Sequence, residues 1–134
     1  MTQSLNRLKE SASQTAGPYV HIGLTPNFAE IPGVYPEDLG FSMVNDRTQG
    51  ERITIKVRVI DGADTTLKDA LVEIWQADAD GLYNSPSEMR GAADPNFQGW
   101  GRKATDMSTG ECIFETIKPG RVPFRDGRPQ APHI

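Results

Sequence analysis

The chain has 134 residues, with 14 Lys and Arg against 18 Asp and Glu, a formal net charge of -4, and one cysteine. Its length suits one domain with a single core, and its scattered basic residues argue against a nucleic-acid or anionic-membrane partner. Cys112 alone allows no internal disulfide, and no stretch approaches the ~20 apolar residues of a membrane helix.

Met1 to Arg7 lacks the apolar centre of a signal peptide, so a reducing cytoplasm is the expected location. Leu5 to Ser11 can make a turn or two of amphipathic helix. From Ser13 to Asp46 the prolines and glycines come too often for long regular elements: Gly17, Pro18, Pro26, Pro32, Gly33, Pro36 and Gly40. Residues 1–50 are therefore expected to form an extended N-terminal arm and irregular wrap.

Residues 51–134 have the pattern of an all-β core. Ile53, Ile55, Val57 and Val59 alternate with Thr54, Lys56 and Arg58, which predicts a half-buried strand over Arg52 to Ile60. Asp61-Gly62 marks a turn. A second strand is expected from about Ala70 to Trp75, with Leu71 and Ile74 in the core. A third is expected from about Glu111 to Ile117, with Ile113 and Phe114 in the core, after a turn at Thr109-Gly110. Short strands joined by Gly/Pro loops point to an antiparallel β-sandwich. Ala131 to Ile134 reads as the start of a further strand. The sandwich is thus expected to be incomplete at the C-terminus, as part of a longer chain or completed by another polypeptide.

Four segments carry a family likeness. They are Ser13-Gln14-Thr15-Ala16-Gly17-Pro18-Tyr19, the run Ile74-Trp75-Gln76-Ala77-Asp78-Ala79-Asp80-Gly81-Leu82-Tyr83, then Thr116-Ile117-Lys118-Pro119-Gly120, and Ala131-Pro132-His133-Ile134. Bridged by Asp94 to Arg102, they resemble the non-haem iron intradiol ring-cleavage dioxygenases. Within that family the resemblance is to the iron-free α chain of members built from two chain types.

That resemblance implies a reaction and a division of labour. Two tyrosinates, two histidines and a solvent oxygen hold Fe(III) in the family's iron-binding chain, a hard-oxygen and imidazole set that suits the ion. A catecholic carboxylate chelates the metal, displaces one tyrosinate, and is cleaved by O2 between its hydroxyl-bearing carbons. The family pattern puts the first tyrosine on Tyr83 and the second on Val122. It puts the first histidine on His133 and the second beyond Ile134. Tyr83 and His133 are then vestigial ligand positions, with no metal site and no catalytic residue in this chain. Gln130 stands where the catalytic chain has an arginine that steadies the charged intermediate.

The resemblance implies that Fe(III) is bound by a homologous β subunit, in a higher-order α/β oligomer. This chain is then expected to line the substrate pocket with Thr15, Gly17, Pro18 and Tyr19. The implied reaction converts 3,4-dihydroxybenzoate and O2 to 3-carboxy-cis,cis-muconate. Chemically the motif suits the task, because Gly17 permits close approach of a flat ring, Pro18 stiffens the turn and Thr15 offers a hydroxyl.

Other signals are weaker. Asp78-Ala79-Asp80-Gly81 resembles part of a calcium loop, but setting Gly81 at position six puts Gln76 and Ser87 where acidic ligands are required. Gly99-Trp100-Gly101 is too short for a dinucleotide loop. His21 could donate a proton, yet packing and hydrogen bonding are its commoner roles. Trp75 and Trp100 are expected as core and interface anchors, and Cys112 as an inert small hydrophobe. Two alternatives remain: a non-enzymatic β-sandwich binding module, and a homomeric intradiol enzyme, which would need a tyrosine at 122.

Overall fold

A computed structural model describes residue 12 and residues 16–134. The turn expected over Leu5 to Ser11 and the site residue Thr15 lie outside those residues. Helix α1 spans Tyr19–Leu24, and four strands follow: β1 Arg52–Arg58, β2 Leu71–Trp75, β3 Trp100–Ala104 and β4 Glu111–Ile117. No helix among the described residues is long and apolar enough to cross a membrane.

The strands pair into two antiparallel sheets, β1 with β4 and β2 with β3. Strand β1 has the predicted alternation, with Ile53, Ile55 and Val57 turned inward and Thr54, Lys56 and Arg58 outward. Its register places Arg58 opposite Glu111 and Thr54 opposite Glu115. The Lys56 ammonium lies 2.6 Å from Glu111 on that outer face, where Arg58 also pairs with Glu111. Such exposed ion pairs contribute little, roughly 0–1 kcal/mol. The apolar inner faces supply most of the stabilisation.

One core joins both sheets. Met43, Phe97, Cys112, Phe114 and Ile117 form its buried centre, and Ile55, Val57, Val72 and Ile74 pack against it. Burying a side chain such as Phe114 contributes roughly 1.5–3 kcal/mol. Gly101 lies close against this core, because a Cβ there would stand 2.7 Å from Met43 Sδ and 3.0 Å from Phe114 Cδ1. The result is an all-β, antiparallel two-sheet architecture.

Several sequence expectations change. Strand β4 has the predicted span, yet Phe114 is fully buried while Ile113 is 45% exposed. Neighbouring residues on a strand point to opposite faces, so both could not enter the core. Leu71 is half-buried and outside the central cluster. Trp75 is 50% exposed rather than core. Strand β3 was not anticipated: Trp-Gly-Arg-Lys-Ala has no alternating apolar face, and its strand character comes from pairing with β2. The arm is not wholly irregular, since it contains α1.

The turn after β1 forms as expected. Asp61 Oδ1 accepts the Ala63 and Thr65 amides at 2.8 and 2.9 Å, and Ile60 bridges to Thr66. This local side-chain capture of backbone donors is why Asp favours turns.

Candidate functional site

Two of the sequence segments meet in space. The loop after β2 and the loop after β4 lock together through glycines. Gly81 adopts φ 80°, and a Cβ there would lie 2.1 Å from the Arg121 carbonyl oxygen. A Cβ on Gly120 would lie 2.4 Å from the Ala79 carbonyl oxygen. Only glycine tolerates both the left-handed backbone at 81 and these approaches. The Gly120 amide donates to the Asp78 carbonyl at 2.8 Å, which ties the two loops.

Buried side chains hold this junction. Asp78 Oδ1 accepts the Asp80 and Leu82 amides at 3.0 and 2.8 Å, and its Oδ2 accepts the Asp94 amide at 2.8 Å. Gln76 donates from Nε2 to the Ile117 carbonyl at 2.8 Å and accepts the Thr116 hydroxyl at 2.8 Å. Satisfied in this way, a buried amide and carboxylate specify one loop geometry. This explains why the matched segments carry Gln76 and Asp78, roles that sequence reasoning missed although the motif contained both. The calcium-like appearance of Asp78 to Gly81 has the same origin, because Asp78 organises backbone donors.

Tyr83 emerges from the junction half-buried, its ring stacked on Trp75 with centroids 6.1 Å apart and planes 16° apart. Its amide donates to Glu88 Oε2 at 3.0 Å. Arg90, through its side chain, and then the Tyr83 amide hold the Glu88 carboxyl down at about 2. Both donors favour the charged form.

Across the junction, Val122 is buried at 4% exposure. Its carbonyl accepts the Gln130 amide at 2.8 Å, within a turn where Pro123 bridges to Pro129. Gln130 Nε2 lies 3.4 Å from the Pro123 carbonyl. His133 is exposed, and its Nδ1 lies 2.8 Å from the Ala131 carbonyl. The loops of Tyr83 and Val122 are thus brought together, while His133 is engaged with its own backbone.

The arm residues stand apart. Gly17, Pro18 and Tyr19 are exposed, Tyr19 at 77%, and α1 has no buried residue. Among the described residues, nothing lies within 4 Å of where a Gly17 Cβ would stand. Among the described residues, no hydrogen bond or ring contact joins Gly17, Pro18 or Tyr19 to Tyr83, Val122 or His133. His21 is a packing and hydrogen-bonding residue, tilted against Phe28 at 5.2 Å.

A cleft of about 780 Å³ lies elsewhere, between Phe28 and Phe41 of the wrap and Lys103 and Cys112 of the sheets. The Lys103 ammonium sits 4.0 Å from the Phe41 ring centroid. Burial lowers the Lys103 pKa and raises that of the Cys112 thiol. A protonated, buried thiol is a poor nucleophile. None of the residues in the family-like segments carrying Tyr19, Tyr83 or His133 lines this cleft.

A sequence profile of the family described as "Dioxygenase" matches residues 25–132, most of the chain. The chain belongs to the dioxygenase family. It is 39% identical over 127 residues to the protocatechuate 3,4-dioxygenase alpha chain of Pseudomonas putida, covering 95% of this chain and 61% of that one. It is 42% identical over 98 residues to the protocatechuate 3,4-dioxygenase beta chain of Burkholderia cepacia, covering 72% of this chain and 41% of that one. An intradiol ring-cleavage dioxygenase from Tetranychus urticae superposes with a TM-score of 0.51 at 29% identity, covering 70% of this chain and 50% of that one. The chain therefore spans about half the length of these dioxygenases.

Intradiol dioxygenases use non-haem iron, so the donor set of this dioxygenase chain is decisive. Ferric iron takes anionic oxygen and imidazole ligands. Val122 presents only buried hydrocarbon beside the Tyr83 loop. Among the described residues, no group of three or more His, Cys, Asp or Glu side chains is placed to hold an ion. The described residues, with Val122 as hydrocarbon, do not present a complete ferric ligand set.

Proposed function

We propose that this chain is an α-type subunit of an intradiol dioxygenase, paired with a homologous β chain that holds Fe(III). The observation that carries the reading is the donor set at the loop junction. The fold retains the interlocked loops and Tyr83, but Val122 closes the neighbouring position with hydrocarbon. Likeness to an α chain over 95% of this sequence supports the same assignment.

The proposed reaction is cleavage of 3,4-dihydroxybenzoate by O2. The bond between the two hydroxyl-bearing carbons breaks, each carbon gains one oxygen atom of O2, and 3-carboxy-cis,cis-muconate results. This chain's part is to bound the partner's pocket with Thr15, Gly17, Pro18 and Tyr19. An exposed segment without core residues gains little order from its own domain, so packing across an interface is its natural use. Gly17 leaves room for a flat ring, and Tyr19 offers an amphipathic edge.

The test uses the complex with a homologous iron-binding chain. The isolated chain should hold substoichiometric iron and show no tyrosinate-to-iron charge-transfer band, whereas the complex should be coloured. Gly17→Val should lower kcat/KM at least tenfold with iron and colour retained, which places the defect in substrate positioning. A Cβ added at Gly17 meets no described residue within 4 Å, which favours a variant that leaves the described fold intact. A coloured, stoichiometric ferric preparation of this chain alone would refute the assignment. A fully active Gly17→Val complex would refute the role of the arm.

A further inference from the structure

We infer that His21 is the positioning residue that clasps the arm to the body of the domain and so sets where Gly17, Pro18 and Tyr19 stand. The inference rests on the proposed role of the arm at a partner's pocket. Helix α1 buries none of its residues fully, and only Val20, His21 and Leu24 are half-buried, so apolar packing alone fixes its orientation weakly. His21 instead makes polar contacts on both sides of its ring. Nε2 lies 2.7 Å from the carbonyl of Asp69, 48 residues along the chain, and Nδ1 lies 3.1 Å from the Thr25 hydroxyl.

The proton positions follow from the partners. A carbonyl only accepts, so Nε2 carries the proton and donates to Asp69. Nδ1 then faces the Thr25 hydroxyl, which also lies 3.4 Å from the His21 carbonyl. Thr25 is 1% exposed, and its amide donates to the His21 carbonyl at 2.8 Å, which closes the helix. The ring also tilts against Phe28, whose amide donates to Asp38 Oδ2 at 3.0 Å. Imidazole, helix end and wrap are thereby fixed to the loop that leads into β2.

Asp69 immediately precedes the Ala70 amide, which donates to the buried Thr105 hydroxyl at 3.0 Å, so the acceptor is itself anchored. His21 is thus a side chain that ties α1 to the segment leading into β2. Its job is orientation, since both ring nitrogens are within hydrogen-bond reach of groups in its own chain.

Hydrogen exchange on the chain and steady-state kinetics on the α/β complex test this together. His21→Ala should raise exchange at the amides of Val20 and Thr25 about tenfold, the scale of one lost hydrogen bond, with β1 and β4 protection unchanged. In the complex it should raise KM with iron content and colour intact. His21→Gln, whose side-chain amide can still donate to the Asp69 carbonyl, should restore most of both. Unchanged exchange in His21→Ala would overturn the clasp. Faster exchange with unchanged KM, in a complex where Gly17→Val is defective, would overturn positioning by His21. Faster exchange with Gly17→Val fully active would instead sink the pocket role of the arm, and the positioning role with it.

Discussion

Gly81→Ala should be among the most damaging small substitutions in this chain. The left-handed backbone at φ 80° costs a non-glycine residue roughly 1–2 kcal/mol. The new methyl would also stand 2.1 Å from the Arg121 carbonyl oxygen, a backbone atom with no rotamer to yield. Relieving that overlap means parting the two loops, at about 1–3 kcal/mol for the strained packing. Losing the Gly120 amide to Asp78 carbonyl bond adds roughly 1 kcal/mol. The expected loss is about 3–6 kcal/mol. Gly33 is the control: it has φ 89° and nothing within 4 Å of its would-be Cβ, so Gly33→Ala should show only the backbone strain. Urea unfolding followed by tryptophan emission reads both, because Trp75 stacks on Tyr83 beside the junction. Equal losses for the two variants, within about 0.5 kcal/mol, would refute the interlock.

Gln76→Leu should lower stability by about 2–4 kcal/mol, since it strands the buried Thr116 hydroxyl and Ile117 carbonyl together; a neutral result in urea unfolding would show that the junction tolerates apolar packing. Glu88 is held at about 2, so its folded pKa lies below its unfolded value and its contribution is present above the unfolded pKa. That contribution fades as pH falls from about 4.5 towards 2, and Glu88→Gln should flatten the acid limb of the stability profile in that window. Identical acid limbs would show that Arg90 and the Tyr83 amide do not hold it. Cys112, buried with its thiol pKa raised, should react with iodoacetamide at pH 8 at least tenfold more slowly folded than in urea; equal rates would contradict its burial.

The period-two pattern of Arg52 to Arg58 made β1 legible from sequence, because a strand half-buried by a sheet face must alternate. The span of β4 was equally legible, but its phase was not. Ile113 and Phe114 are both apolar, and only the facing Met43 and Gly101 decide which one enters the core. The Asp61 and Gly110 turns were readable for local reasons, since each is stabilised within a few residues. Strand β3 was not readable, because Gly101 and Lys103 become strand residues through β2, a partner 29 residues upstream of Arg102 at Glu73. For the site, the family resemblance already set Val122, a hydrocarbon side chain, at a position where a tyrosine is expected. Tertiary structure alone decided that the Tyr83 and Val122 loops interlock through Gly81 and Gly120, and that His21 reaches Asp69. Those contacts join residues some 40 to 50 positions apart, and no local propensity encodes a distance through space.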